Sequence, residues 1–291
     1  MKNLFGNIFG SKTEKQTEPL SDEILEKIIS EIKAETSVPC MKLVLKSGTP
    51  SLTASKLGGL PYIPHDGALP LDAQNNQLKL LAQINCSNLS GLQGFPERGL
   101  LQFFIATNRL YGLSTASPTE QTGFAVRYYE TIDETVTEDE VKAKTAVPDD
   151  SVKIRTPLVN EPLSIEFEAD TNFISAGDFR FEKLLVKKAE ALCPNCNVKS
   201  LFDLTEEQQQ KLAAEFQGKG SKIFGFPHFA QDDPRGIADK GLEGFDTLLL
   251  QLDSDGENID WGDSGTGCFF IEQSALAARN FSKVLYNWDC Y

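Results

Sequence analysis

An internal repeat constrains the fold of this chain more than any other feature of its sequence. The segment Lys56-Leu-Gly-Gly-Leu-Pro61 returns as Lys222-Ile-Phe-Gly-Phe-Pro227, and at the same spacing Asp66 returns as Asp232. Two further blocks follow in the same order: Leu80-Leu-Ala-Gln83-Ile-Asn85 with Leu249-Leu-Gln251-Leu-Asp253, and Phe103-Phe-Ile105 with Phe269-Phe-Ile271. Three blocks in one order at nearly constant spacing predict a duplicated unit, with copy one at about 56–106 and copy two at about 222–272.

Each copy consists of a Gly-Pro turn, a strand that ends near a Gln, and an apolar Phe-rich strand. The proline fixes φ, and the glycine allows a backbone conformation that a side chain would block. One half-unit leaves an apolar face uncovered, and packing two about a pseudo-two-fold axis covers both faces. The sequence therefore predicts an α+β fold of two pseudo-symmetric, mainly antiparallel half-sheets with helices packed outside and the Phe side chains in the core.

Local signals predict three helices, over about 22–33, 178–192 and 205–217. Ser21 is placed as the N-cap of the first helix, and Thr205-Glu-Glu-Gln208 is typical of a capping box. Apolar runs predict strands over 42–46, 78–84, 100–106, 124–129, 163–168, 247–252 and 268–271. The acidic stretch 131–150 is predicted to be a loop or a short surface helix.

Residues 1–19 lack the apolar stretch of a signal peptide. The sequence therefore predicts a flexible N-terminal tail over 1–19 followed by a single domain over 20–291. The net charge of −14 repels phosphate backbones and anionic lipid, so neither nucleic acid nor a membrane is an expected partner. We expect a cytoplasmic protein. Its six scattered cysteines then favour free thiols, Cys193 and Cys196 included, with a metal-ligand or redox pair as alternatives.

Several blocks together resemble the YwqG-like family of bacterial proteins, a domain of unknown function. They include Gly58-Gly-Leu-Pro61, Gly99-Leu-Leu-Gln-Phe-Phe-Ile105, Gln231-Asp-Asp-Pro-Arg235 and Trp261-Gly-Asp-Ser-Gly265, and the resemblance covers roughly residues 40–291. It implies a cytosolic α+β protein with duplicated halves, and it implies no catalytic residues.

The junction of the two copies and the acidic segments of copy two supply the candidate binding residues. Gln83 and Gln251 end paired strands and are expected to face each other across a groove, while Arg235 is expected to pair with Asp232. The full candidate set is Asp66, Gln83, His228, Asp232, Arg235, Gln251, Asp253, Trp261 and Asp263.

Asp253, Asp255 and Glu257 are the candidate metal ligands. They occupy positions 1, 3 and 5 of a calcium-like loop, and hard cations prefer such oxygen ligands. Asn258 and Ser264 depart from that pattern at positions 6 and 12. The segment is therefore either a surface loop with a tight turn or a weak Ca²⁺ or Mg²⁺ site, and no other cofactor is predicted.

Acidity without a catalytic set favours a binding protein. Residues 225–291 hold twelve acidic against four basic side chains, and residues 120–170 hold thirteen against five. Such surfaces attract a basic protein or peptide partner and mainly raise the rate of association, and exposed tryptophans beside them would add cation–π contacts. The alternative is a metal-assisted hydrolase with an acidic site at the junction, formed by Asp232, Asp253, Asp255, Asp263 and His228.

Overall fold

The computed structural model describes residues 18–146, 155–238 and 240–291. Its helices are α1 (Asp22–Thr36), α2 (Glu138–Lys144), α3 (Phe181–Leu192), α4 (Glu206–Glu215) and α5 (Gln273–Ala277). Its strands are β1 (Val38–Ser47), β2 (Lys56–Leu57), β3 (Lys79–Asn85), β4 (Leu100–Ile105), β5 (Phe124–Tyr129), β6 (Leu163–Asn172), β7 (Lys222–Ile223), β8 (Thr247–Asp253), β9 (Thr266–Ile271) and β10 (Leu285–Asp289). The predicted tail lies outside the described residues up to residue 17.

Capping explains where two of the predicted helices begin. The hydroxyl of Ser21 accepts the N–H of Ile24 at the start of α1, and Thr205 and Gln208 form a reciprocal capping box at the start of α4. Both predictions are confirmed. The helix α3 begins at Phe181 rather than at Asp178, because residues 178–180 form a turn in which the Asp178 carboxylate accepts the backbone N–H of Arg180.

All ten strands form one antiparallel sheet in the order β10-β9-β8-β7-β1-β6-β2-β3-β4-β5. The predicted α+β class and antiparallel pairing are confirmed, and the strands of both predicted half-sheets belong to one continuous sheet. The strands β1 and β6 pair along ten residues, from Val38 opposite Asn172 to Ser47 opposite Leu163. The strand β1 also pairs with β7, and β6 also pairs with β2. These two central strands therefore join two four-stranded sides, β10-β9-β8-β7 and β5-β4-β3-β2, into one sheet.

The sheet curls into a nearly closed, barrel-like shape around an aromatic core. The two edge strands, β5 and β10, lie near each other. The rings of Phe124 on β5 and Tyr286 on β10 are 5.1 Å apart, and the N–H of Tyr286 donates to the carbonyl of Pro118 at 3.0 Å. Inside, the rings of Phe103 and Phe269 lie 5.0 Å apart. Both side chains are fully buried, as the sequence predicts.

A second apolar cluster lies between α1, α3 and α4 and includes Leu25, Ile28, Phe181, Leu185 and Leu212. None of the described helices is both long enough and apolar enough to span a bilayer. The acidic stretch after β5 contains the short helix α2, and its residues 147–150 lie outside the described residues.

Cys193 and Cys196 form a disulfide, which corrects the expectation of free thiols. The turn that ends α3 brings their Cα atoms to 5.4 Å, within the range that a disulfide spans. The expectation was wrong because it was argued from the cellular compartment, whereas the pairing follows from the local turn.

Replacing Phe269 should test the aromatic core. Its ring contacts three others, with Tyr286 at 4.6 Å and Phe124 at 6.1 Å in addition to Phe103. We expect Phe269→Ala to lower the free energy of unfolding by about 3–5 kcal/mol in urea titrations, because it removes a buried ring and leaves a cavity. Phe202→Ala is the control, since that side chain is 87% exposed. Equal losses in the two variants would contradict the proposed core.

Candidate functional site

Gln83 hydrogen-bonds to the loop that precedes β3, and it does not face a groove. Its side chain is fully buried. Its Oε1 accepts the N–H of Tyr62 at 2.9 Å, and its Nε2 donates to the carbonyls of Leu52 and Ala54, each at 2.9 Å. Both polar atoms of the amide are thus hydrogen-bonded to backbone groups, which explains why this polar side chain is stable at a buried position.

Gln251 makes the same set of bonds on the other side of the sheet. Its Oε1 accepts the N–H of His228 at 2.7 Å, and its Nε2 donates to the carbonyls of Gly218 and Gly220 at 3.0 Å each. Four strands lie between β3 and β8. The two glutamines therefore do not meet across a groove, and neither is accessible to a ligand.

A buried lysine lies beside each glutamine. Lys56 donates to the carbonyls of Ser51 and Leu52 at 3.0 Å each, and Lys222 donates to the carbonyl of Gly218. Burial lowers the pKa of Lys56 to about 8. Burial also lowers the pKa of Lys222, although the Asp253 carboxylate opposes that shift.

Arg235 is a buried anchor and not an exposed binding residue. Its guanidinium binds Asp233 (Nε to Oδ1, 2.9 Å) and Asp178 (Nη2 to Oδ2, 3.0 Å), not Asp232 as the sequence suggests. It also lies over the Phe270 ring at 4.4 Å. Burial alone lowers the pKa of Arg235, but the two carboxylates outweigh it and raise that pKa, so the arginine stays charged.

Trp261 is also buried, whereas Asp66, Asp232 and Asp263 are exposed. The Trp261 ring stacks on Trp288 at 6.0 Å, so only Trp288 is partly open to solvent. Asp232 lines a cavity of about 270 Å³ together with Trp288 and Asp289. Burial raises the pKa of Asp289, although the N–H groups of Gln231 and Ala230 oppose that shift.

The three candidate metal ligands do not converge on one point. Asp253 accepts the N–H of Gly220 at 2.6 Å. Asp255 accepts the N–H groups of Glu257, Asn258 and Ile259 at 2.6–2.9 Å. These bonds lower its pKa, although its partial burial raises it. Among the described residues, no group of three His, Cys, Asp or Glu is placed to hold a metal ion. The Ca²⁺ or Mg²⁺ site therefore stays a sequence-based prediction.

The candidate residues are distributed over three separate cavities. Besides the cavity at Asp232, one of about 540 Å³ is lined by Asp253 and Asp255, and one of about 390 Å³ is lined by His228. The arrangement does not bring a nucleophile, a base and an electrophilic group together in one place, so it offers no geometric basis for a catalytic mechanism.

The segment 254–265 between β8 and β9, here called the acidic loop, carries four exposed carboxylates. They belong to Asp255, Glu257, Asp260 and Asp263. Ion pairs occur throughout the described part of the chain, yet none of those pairs includes one of these four. The sequence from 241 to 278 contains no lysine or arginine. The loop thus presents four carboxylates that form no ion pair with the described residues.

Sequence reasoning missed two residues that organise this region. Tyr62 takes the place in copy one that His228 takes in copy two, and extending the repeat by one residue beyond Pro61 would have found it. Asp178 binds Arg235 across 57 positions, and no local pattern signals that pairing.

The fold therefore defines an α+β protein built on a single antiparallel sheet, with matching loop-fastening glutamines on its two sides. The chain belongs to the DUF1963 family, a domain of unknown function, whose sequence profile matches residues 55–290. No curated protein matches the sequence. The narrower resemblance to the YwqG-like proteins stays a prediction.

Lys56 should give the stability a distinctive pH dependence. Its pKa is about 8 in the folded chain against about 10.5 in the unfolded one. Between these values the unfolded state holds more protons, so stability rises with pH. Below pH 8 Lys56 is protonated in both states, and the folded state carries the full cost of burying its charged ammonium. Relative to Lys56→Met, we expect the wild-type free energy of unfolding to rise by about 3 kcal/mol from pH 7.5 to 10.5.

Urea titrations across that pH range measure this difference, and Lys222 cancels because both proteins contain it. The control is Lys27→Met, which removes a lysine whose ammonium is largely exposed, and an equal rise in its difference from the wild type would contradict the assignment to Lys56. A wild-type minus Lys56→Met difference that stays constant from pH 7.5 to 10.5 would contradict the assignment.

Proposed function

We propose that this protein binds a basic protein or peptide partner through the acidic loop. The observation that carries the proposal is that its four exposed carboxylates have no cationic partner among the described residues. Unpaired charges on one face create a field that attracts a partner of opposite sign, and a net charge of −14 strengthens it at long range.

The acidic loop is held in one conformation by its own contacts. Asp260 accepts the N–H of Gly262 at 2.8 Å, and Ser254 accepts the N–H of Trp261 at 2.9 Å. The Trp261 ring anchors the loop in the core. A loop ordered before binding loses little entropy on association, which favours recognition.

Apolar groups next to the loop suit a mixed partner sequence. Leu43 and Leu45 line the cavity beside Asp253. Val159, which is 59% exposed, donates its N–H to the carbonyl of Asn258 at 2.8 Å. A segment in which Lys or Arg alternates with an apolar side chain fits this surface best, because buried apolar anchors supply affinity and charges supply orientation.

The two sides of the sheet support the inference of an internal duplication. In addition to the matched glutamines, Asn85 donates its N–H to Ser55 Oγ at 2.8 Å, and Asp253 does the same to Ser221 Oγ at 3.0 Å. In this comparison, copy two has an acidic side chain where copy one has a neutral amide.

Charge reversal on the loop should abolish partner capture. The variant Glu257→Lys/Asp263→Lys changes two exposed side chains that make no side-chain contact in the described structure. The matched control, Glu97→Lys/Glu190→Lys, changes the same charge at exposed positions elsewhere. From a cell lysate at about 50 mM salt, we expect the wild type and the control to retain a partner that the loop variant loses.

Raising the salt to about 300 mM should release that partner from the wild type, because exposed charges are screened over shorter distances. Equal capture by the two double variants, or capture that does not respond to salt, would contradict the proposal.

Metal-assisted hydrolysis is the second hypothesis, and thermal melting tests its premise. His228 and Asp232 line different cavities from Asp253, so we expect Ca²⁺, Mg²⁺, Mn²⁺ or Zn²⁺ to change the Tm by less than about 1 °C relative to EDTA. A rise of several degrees with one cation would instead establish a site, because a ligand that binds only the folded state stabilises it.

A further inference from the structure

A cavity of about 390 Å³ lies beside the end of α4 and shares Lys219 with the cavity next to the acidic loop. Its apolar wall combines small side chains with aromatic rings, namely Ala176, Ala213, Ala214, Phe216 and Phe229. Its polar groups include His228 and Lys219. A cavity of this size that combines apolar and aromatic groups with polar ones can hold a small molecule.

Two hydrogen bonds fix the imidazole of His228. Its backbone N–H binds Gln251, and its Nδ1 lies 3.0 Å from the carbonyl of Gln217. A carbonyl only accepts, so Nδ1 carries the hydrogen and Nε2 offers a lone pair. Burial lowers the pKa of His228, against the opposing effect of Asp253, and thereby favours this neutral form.

Lys219 supplies a positive charge to the same cavity. Its side chain is exposed and forms no ion pair with the described residues. The nearby carboxylate of Asp253 is held by the N–H of Gly220 and lies close to the buried Lys222. The cavity therefore combines the acceptor of His228 and the cation of Lys219 with aromatic and small apolar side chains.

The other side of the sheet shows that the fold does not require this opening. Tyr62 makes the backbone bond to Gln83 that His228 makes to Gln251. The Tyr62 side chain is 1% exposed, and its hydroxyl accepts the N–H of Asp133 at 2.9 Å. A ring held under a covering segment occupies copy one, whereas copy two presents an imidazole at a cavity.

We propose that the cavity at His228 binds a small hydroxylated aromatic carboxylate. Its hydroxyl donates to Nε2 of His228, its carboxylate pairs with the ammonium of Lys219, and its ring packs against Phe216 and Phe229. The site shares Lys219 with the cavity beside the acidic loop, but its test reads the imidazole of His228 and does not depend on partner capture, so the two proposals can fail separately.

Nitrogen-edited NMR of the imidazoles tests the site, because the chain has only two histidines. The probe is 4-hydroxybenzoate, and His65, which binds Glu140, is the internal reference. We expect saturable shifts of the His228 Nε2 signal with no shift at His65. The affinity should fall about tenfold for 4-methoxybenzoate, which lacks the donor, and for methyl 4-hydroxybenzoate, which lacks the charge.

Lys219→Met should weaken binding of 4-hydroxybenzoate about tenfold. Lys183→Met, an exposed lysine on α3, should leave binding unchanged, and both variants preserve the core, so folding does not confound the comparison. No shift at His228 up to about 10 mM probe would overturn the proposal. Equal affinity for the three probes, or for the two lysine variants, would also overturn it.

Discussion

The pairing of β1 with β6 is the interaction on which the rest of the structure depends. Both strands are ten residues long, whereas the neighbouring β2 and β7 contribute only two residues each. The long ladder therefore carries the connection between the two sides of the sheet. Its inward side chains, such as Leu43 opposite Phe167, join the central apolar cluster. Its outward face carries ion pairs such as Lys42 with Asp170 at 2.8 Å. Backbone hydrogen bonds and apolar burial thus both stabilise the β1–β6 pair.

On either side of the β1–β6 pair, a buried glutamine binds the preceding loop to the sheet. The contacts that hold the loop are therefore different from the side chains that the loop exposes. Gln83 and Gln251 each satisfy three backbone groups, so the loop conformation does not depend on which side chain the loop displays. The residue that donates its N–H to the glutamine can then change, as Tyr62 and His228 illustrate. The same holds at the strand end, where Asn85 and Asp253 occupy matching positions. A scaffold with two matched anchors can present different surface chemistry on its two sides.

The sequence predicted those elements whose signals are local and missed those that depend on distant contacts. The caps of α1 and α4 and the apolar strands β4 and β5 follow from neighbouring residues. The single sheet does not, because β1 and β6 are far apart in the chain and either could have paired differently. Arg235 was predicted to pair with Asp232, because that aspartate is its neighbour in the sequence, and was also named as a candidate binding residue. Its burial depends on Asp178 and Phe270, which only the tertiary structure brings to it.

The two acidic stretches of the chain have similar composition but different physical character. In the first, the carboxylates are largely compensated in the described structure: Glu130 pairs with Arg98, Glu161 with Lys79 and Asp170 with Lys42. Each exposed pair adds little stability, yet each cancels the field of its carboxylate at a distance. In the acidic loop, Asp255, Glu257, Asp260 and Asp263 point to solvent without such partners. Net charge alone does not distinguish these stretches, whereas pairing does. The proposed basic partner should therefore favour the acidic loop, whose four carboxylates form no ion pair with the described residues, over the surface around α2, where Glu138, Asp139 and Glu140 are paired.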